Sequence, residues 1–116
     1  MTLSAWIGGY RRAWESNDPD DILALFTPDA VFFTEPYATP FRGHEEIVAG
    51  WLAKRDEPGA ATFTWEPVTE TPELGVIRAR TDYPALGETY SNLWVICFAP
   101  DGRATEFTEW WMEHPR

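Results

Sequence analysis

The stretch GVIRARTDYPALGETYSNLWVICFAPDGRATEFTEWWM, residues 75–112, contains three strand-like segments separated by two turn signals. The segments GVIRARTDY, TYSNLWVICF and RATEFTEWWM are rich in β-branched and aromatic residues, which favour strands. The intervening PALG and APDG are typical of tight turns, and the second is a strong hairpin signal. ATFTWEPV, residues 61–68, adds a fourth segment upstream. The second half of the chain therefore predicts a largely antiparallel sheet.

The first half of the chain is dominated by helical patterns. Apolar residues recur near the N-terminus at the spacing of an amphipathic helix: Leu3, Ile7, Tyr10 and Trp14. Asp18 and Pro19 suit the N-cap and first position of a short second helix, and GHEEIVAGWLAK, residues 43–54, predicts a third. AVFFTEPY, residues 30–37, is expected to be a short strand. Helices followed by strands predict one α+β domain, residues 1–116, with three helices packed on one face of a curled sheet.

The composition excludes several classes of function. Nine Lys and Arg against nineteen Asp and Glu leave a formal charge of -10, which disfavours binding to nucleic acid or an anionic membrane. A single cysteine, Cys97, and the lack of a signal-like or membrane-spanning run indicate a soluble cytoplasmic protein. His44 and His114 lie far apart, and no glycine-rich phosphate loop is present. We therefore expect no metal and no cofactor.

The segment IRARTDY, residues 77–83, leaves open which of its two faces looks inward. Alternation places Arg78, Arg80 and Asp82 on one face, opposite an apolar face. The apolar face makes a good core, whereas the charged face makes a good site. We favour the charged face as the inward one, because Glu109 lies between aromatic residues and needs a counter-charge that Arg80 could supply.

Three further segments occur in an order that resembles a known superfamily. LFTPDAVFFTEP, FRGHEEIVAGW and DGRATEFTEWWM lie at intervals between residues 25 and 112, a span that includes most of the chain. Their order resembles the nuclear transport factor 2-like superfamily, including its SnoaL-like branch. The resemblance implies a cone-shaped α+β barrel in which the helices and a curled sheet enclose one pocket. That superfamily includes isomerases, dehydratases, cyclases, epoxide hydrolases and binding modules, so the reaction must be inferred from the site.

Two enzyme types within this superfamily suggest catalytic residues. Arg80 and Asp82 match the Arg-x-Asp pattern of limonene epoxide hydrolase-like proteins, and Glu109 falls where those proteins carry a second acid. The resemblance implies that one protonated carboxyl and one carboxylate, held by the Arg, perform acid–base catalysis. Tyr10 is similar to the oxyanion-stabilising Tyr of ketosteroid isomerase-like proteins. Glu35, next to Pro36, lies near the position of their catalytic base.

These comparisons leave three hypotheses for the function. The first is an acid–base enzyme that acts on a small hydrophobic molecule through Arg80, Asp82 and Glu109. The second is a non-catalytic module that binds an apolar ligand, and the third is a structural domain with a vestigial pocket. The residues expected to line the pocket are Tyr10, Trp14, Phe33, Glu35, Trp51, Asn92, Trp94, Phe107 and Trp111. Apolar residues on the opposite sheet face predict a homodimer through the sheet.

Overall fold

The computed structural model describes residues 2–115 and has an α+β architecture, as the sequence predicts. The helices are α1 (Leu3–Ser16), α2 (Pro19–Leu23) and α3 (Gly43–Ala53). The strands are β1 (Phe26–Phe33), β2 (Phe41–Arg42), β3 (Thr62–Glu70), β4 (Leu74–Tyr83), β5 (Glu88–Phe98) and β6 (Ala104–Glu113). The helices cover one face of the sheet, here called the inner face, and the opposite face is called the outer face.

The six strands of the described chain form one open sheet. Their order is β2-β1-β6-β5-β4-β3, so β2 and β3 lie at the two edges and the sheet does not close into a barrel. Strands β3 to β6 form the antiparallel meander that the turn signals predict. Strand β1 pairs in parallel with β6, which makes the sheet mixed.

Strand β1 begins earlier than the predicted segment 30–37 and ends earlier too. Its first residue, Phe26, pairs with Ala104, whose backbone N–H donates to the carbonyl of Leu25 at 2.8 Å. This pairing draws residues 27–29, which precede the predicted segment, into the strand. An irregularity between Phe26 and Val31 absorbs the resulting change of register.

Short-range signals account for the ends of the first two helices. The Thr2 hydroxyl accepts the Ala5 N–H at 3.1 Å and caps α1. Asn17, with φ 51°, ends α1 in the left-handed conformation that asparagine tolerates better than most residues. Asp18 caps α2 by accepting the Asp20 N–H at 2.9 Å, and Pro19 occupies the first turn as predicted.

The core lies between α1 and the inner face of the sheet. Trp6 is fully buried there, and its indole N–H donates to the Leu25 carbonyl at 2.9 Å. Phe107 is also fully buried, and its ring centroid lies 5.5 Å from that of Trp6 and 5.1 Å from that of Trp94. Edge-to-face ring packing of this kind stabilises the core beyond the burial of area alone.

The inward orientation predicted for Phe33 is wrong. Phe32 pairs with Phe107 and stacks on its ring at 4.9 Å, whereas Phe33 pairs with Thr108 and is half-buried on the outer face. Adjacent strand residues point to opposite faces, so only one of the two phenylalanines can face the helices. The parallel register of β1 on β6 selects Phe32.

None of the helices among residues 2–115 is both long enough and apolar enough to cross a membrane.

Candidate functional site

The inner face of β4 is the apolar one, which corrects the orientation that we had favoured. Ile77 and Thr81 are buried beneath the helices, whereas Arg80 is exposed on the outer face. The Arg80 guanidinium donates to Asp82 on its own strand, with Nε 3.0 Å from Oδ2. Turning this face inward would bury guanidinium groups and lose the burial of Ile77, and both changes cost free energy.

Arg80, Asp82 and Glu109 therefore do not form the predicted trio. The hydrogen bond from Arg80, followed by one from Thr89, lowers the pKa of the half-buried Asp82 carboxyl. This surface pair contributes little to stability, because solvent screens both charges. Glu109 lies on the inner face, opposite Trp94 in the neighbouring strand, with the whole sheet between it and Arg80.

A cavity of about 450 Å³ opens between α1, α3 and the inner face of β4, β5 and β6. Its volume is within the range of about 300–1,000 Å³ found for small-molecule sites. The residues predicted from the sequence that line it are Tyr10, Trp14, Trp51, Asn92, Trp94, Glu109 and Trp111. Most of these side chains are indoles or phenols, which offer broad apolar surfaces with a polar edge.

Two other residues predicted to line the pocket lie elsewhere. Phe107 is buried behind Trp94 and supports the cavity wall without reaching the cavity surface. Glu35 follows the end of β1, and a hydrogen bond to Glu35 raises the pKa of the exposed Tyr37. Thr34, its neighbour in the chain, lines the cavity instead, because alternation continues past the end of the strand.

Glu109 contributes a carboxyl group to the sheet wall of the cavity. Its Oε2 accepts the Trp94 indole N–H at 3.0 Å and the Asn92 amide N–H at 3.2 Å. Its Oε1 makes no hydrogen bond to any residue in the range 2–115. Burial raises the pKa of Glu109 to about 7, although the two donors favour the ionised form and act in the opposite direction. Glu109 thus changes its protonation state close to neutral pH.

Two phenols on the cavity wall keep their protons at neutral pH. Burial, followed by the charge of Glu109, raises the pKa of Tyr10 well above its ordinary value. Burial also raises the pKa of Tyr83, and its hydroxyl donates to Asp56 Oδ2 at 2.8 Å. The indole N–H of Trp14 donates to the same Asp56 oxygen at 2.8 Å. These bonds tie the chain segment after α3 to α1 and β4 at the cavity mouth.

Several cavity residues were not predicted from the sequence. Thr81 and Tyr83 lie on the apolar face of β4, which we had expected to face outward, and the apolar alternation of that face is the signal that could have placed them inward. Asp56 lies in RDEPGA, which reads only as a connection between α3 and β3. No local pattern marks Asp56, since its partners are brought to it by the packing of α1 and β4.

Neither histidine lies at the cavity. His44 Nε2 is 2.8 Å from the carbonyl oxygen of Phe26, and His114 Nε2 is 2.7 Å from the Ser91 hydroxyl oxygen. Within residues 2–115, no three His, Cys, Asp or Glu side chains are grouped so that they could hold a metal ion.

The structure combines an α+β fold with a carboxyl group on the wall of an open cavity. The SnoaL-like domain model matches residues 7–110, and the chain belongs to this family of the nuclear transport factor 2-like superfamily. The resemblance inferred from the sequence is thereby confirmed. No curated protein matches the chain significantly.

Solved structures with the same fold come from several bacteria. A protein from Sphaerobacter thermophilus has a TM-score of 0.76 and 18% identity, and the alignment covers 97% of each chain. A provisionally named ketosteroid isomerase from Kribbella flavida has a TM-score of 0.72 and 14% identity over 97% of this chain and 78% of its own. A provisionally named polyketide cyclase from Sinorhizobium meliloti has a TM-score of 0.69 and 24% identity over 93% of this chain and 95% of its own. At these identities the likeness shows the fold alone.

Proposed function

We propose that this protein binds a small, largely apolar molecule in the ring-lined cavity and catalyses a proton transfer on it through Glu109. The observation that carries the proposal is Glu109 itself, a carboxyl on an aromatic wall with a pKa of about 7. A general acid or base works best when its pKa is close to the working pH. The names ketosteroid isomerase and polyketide cyclase, carried by two structural relatives, agree with a rearrangement of an apolar substrate.

The chemistry that suits these groups is removal of a proton from a carbon next to a carbonyl. Ionised Glu109 takes that proton on Oε1, and the electron pair of the C–H bond passes to the carbonyl oxygen. The Tyr10 hydroxyl, which remains protonated, is the donor that we assign to the resulting oxyanion. Protonated Glu109 then returns the proton to another atom of the same ligand. The rearrangement consumes no water, oxidant or reductant.

Solvent deuterium exchange tests this proposal before the natural substrate is known. A panel of cyclic ketones and enones is incubated with the protein in D₂O, and C–H signals next to the carbonyl are followed by NMR. We expect exchange with at least one compound, at a rate that rises with pH through about 7 as Glu109 ionises. Glu109→Gln should abolish the exchange but keep binding. The matched control, Glu106→Gln on the same strand, changes an exposed carboxylate and should exchange like the parent.

Binding is measured separately by indole fluorescence, because Trp14, Trp51 and Trp94 line the cavity. Compounds that bind but never exchange would contradict the catalytic proposal and favour the non-catalytic binding module. Exchange that persists in Glu109→Gln would show that Glu109 is not the group that takes the proton. If no apolar compound binds, both the enzyme and the binding module are refuted.

We also propose that the outer face of the sheet packs against a second copy of the chain. Leu93 and Val95 lie on that face, and Trp110 and Met112 there are 41% and 72% exposed. Large exposed apolar side chains grouped on one surface are typical of an interface. Sedimentation should show a dimer at micromolar concentration, and Trp110→Glu should shift the protein to monomer. A parent protein that sediments as a monomer at high micromolar concentration would contradict this proposal.

A further inference from the structure

Thr81 is buried on the inner face of β4, and β5 lies between it and Glu109 on β6, yet a chain of hydrogen bonds joins the two residues. The Thr81 hydroxyl donates to Asn92 Oδ1 at 2.8 Å, and both residues are buried. The other end of the same amide, Asn92 Nδ2, donates to Glu109 Oε2 at 3.2 Å. A threonine hydroxyl can donate or accept, but Asn92 Oδ1 is the only hydrogen-bond partner of the Thr81 hydroxyl among residues 2–115. Rotating the amide would leave that buried hydroxyl hydrogen without an acceptor, so the bond from Thr81 favours the orientation in which Nδ2 faces Glu109.

Trp94 constrains the same oxygen independently. An indole N–H can only donate, and Trp94 Nε1 is 3.0 Å from Glu109 Oε2. Oε2 therefore accepts two N–H groups. Rotation of the Asn92 amide would replace its donor with an acceptor, but no rotation of the Trp94 indole can do so. When a carboxyl group is protonated, its carbonyl oxygen is the better acceptor, and the hydroxyl hydrogen lies on the other oxygen. That other oxygen, Oε1, has no hydrogen-bond partner among residues 2–115.

We propose that Thr81 is a positioning residue that, through Asn92, keeps the acid proton of Glu109 on Oε1, the oxygen available to a ligand in the cavity. Without the Thr81 hydroxyl, the Asn92 amide is free to rotate and to present Oδ1 to the carboxyl. The proton would then lie on Oε2, bonded to Asn92 and directed away from any ligand. Thr81 thus acts together with Trp94 to keep the proton available for transfer.

This inference rests on the proposed function for its catalytic consequence, but the position of the proton is a property of the protein without substrate. If no compound is turned over, the catalytic proposal is refuted, but the inference about which oxygen of Glu109 carries the proton is unaffected. A failure in the titrations described next would refute the role of Thr81 even in an active enzyme.

The test is a carboxyl ¹³C NMR titration of Glu109 in the parent and three variants. Thr81→Val keeps the shape of the side chain and removes the hydroxyl. Ionised Glu109 then loses a well-oriented donor, so its pKa should rise by about one pH unit, a roughly tenfold tighter hold on the proton. Thr81→Ser keeps the hydroxyl and should titrate like the parent. Thr108→Val, next to Glu109 in sequence but on the outer face, is the matched control and should also leave the titration unchanged.

Two results would overturn the inference: a parental titration in Thr81→Val, or equal shifts in Thr81→Val and Thr81→Ser. If Thr81→Val does not fold, the parent protein provides a second measurement. The side-chain N–H signals of Asn92 and Trp94 should both titrate with the midpoint of Glu109, near pH 7. Both should remain protected from solvent exchange at acidic and alkaline pH. An Asn92 amide that loses protection at acidic pH has rotated when Glu109 is protonated, and this result would refute the inference.

Discussion

Glu109→Gln should make the protein more stable at alkaline pH while leaving its stability at acidic pH nearly unchanged. The glutamine is neutral, and its carbonyl oxygen can accept the two N–H groups that Asn92 and Trp94 donate to the carboxylate. The substitution therefore removes the buried charge and keeps the hydrogen bonds. It isolates the free energy of holding an ionised group against the aromatic wall.

The magnitude follows from the difference in pKa between the two states of the chain. Folding raises the pKa of Glu109 from 4.5 to about 7, so the folded state binds more protons than the unfolded state between these values. Stability contributed by this group is therefore lost as pH rises, at about 1.4 kcal/mol per pH unit. Above pH 7 the ionised group costs up to about 3 kcal/mol relative to its protonated form. The Gln variant avoids that cost.

The assay is urea denaturation followed by indole fluorescence at a series of pH values between 5 and 9. Parent and variant are compared at one protein concentration, since assembly would add stability by mass action. The difference in unfolding free energy should be no more than about 1 kcal/mol at pH 5 and rise to about 3 kcal/mol by pH 8, because only the parent must hold an ionised group. Glu106→Gln, an exposed position on the same strand, should give a flat difference across the range. Parallel profiles for parent and Glu109→Gln would refute the assignment of a raised pKa to Glu109.

Two further substitutions test the placement of residues in the fold. Arg80→Ala should change the free energy of unfolding by no more than about 0.5 kcal/mol, because Arg80 is exposed and its ion pair with Asp82 lies on the outer face of the sheet. A larger loss of stability in urea denaturation would contradict the placement of Arg80 on that face. Phe107→Ala should cost about 3–5 kcal/mol, because it removes a fully buried ring that supports both Trp6 and Trp94. Phe107→Leu should cost clearly less in the same assay, and equal losses for the two would contradict the packing role of Phe107.

Much of the fold was predictable, because the strongest signals are local. Helix spacing, the Asp18–Pro19 start and the APDG turn each act over a few residues and were read correctly. Alternation along β6 also placed Glu109 on the same face as Phe107 before any partner was known. The predicted need for a buried counter-charge was wrong, because neutral donors and a raised pKa accommodate the carboxyl instead.

What the sequence alone determined about this protein is the three helices, five of the six strands described, and which residues share a face within each of those strands; the two-residue strand β2 was not predicted. Only the tertiary structure decided which face turns inward, since alternation is equally consistent with either orientation and a shift of one residue exchanges them. Packing of the helices on the apolar side of β4 placed Thr81 inside and Arg80 outside. The parallel pairing of β1 with β6 chose Phe32 over Phe33 in the same way. Asp56 entered the site through contacts with α1 and β4, which are distant in sequence, and a distant contact leaves no local pattern to read.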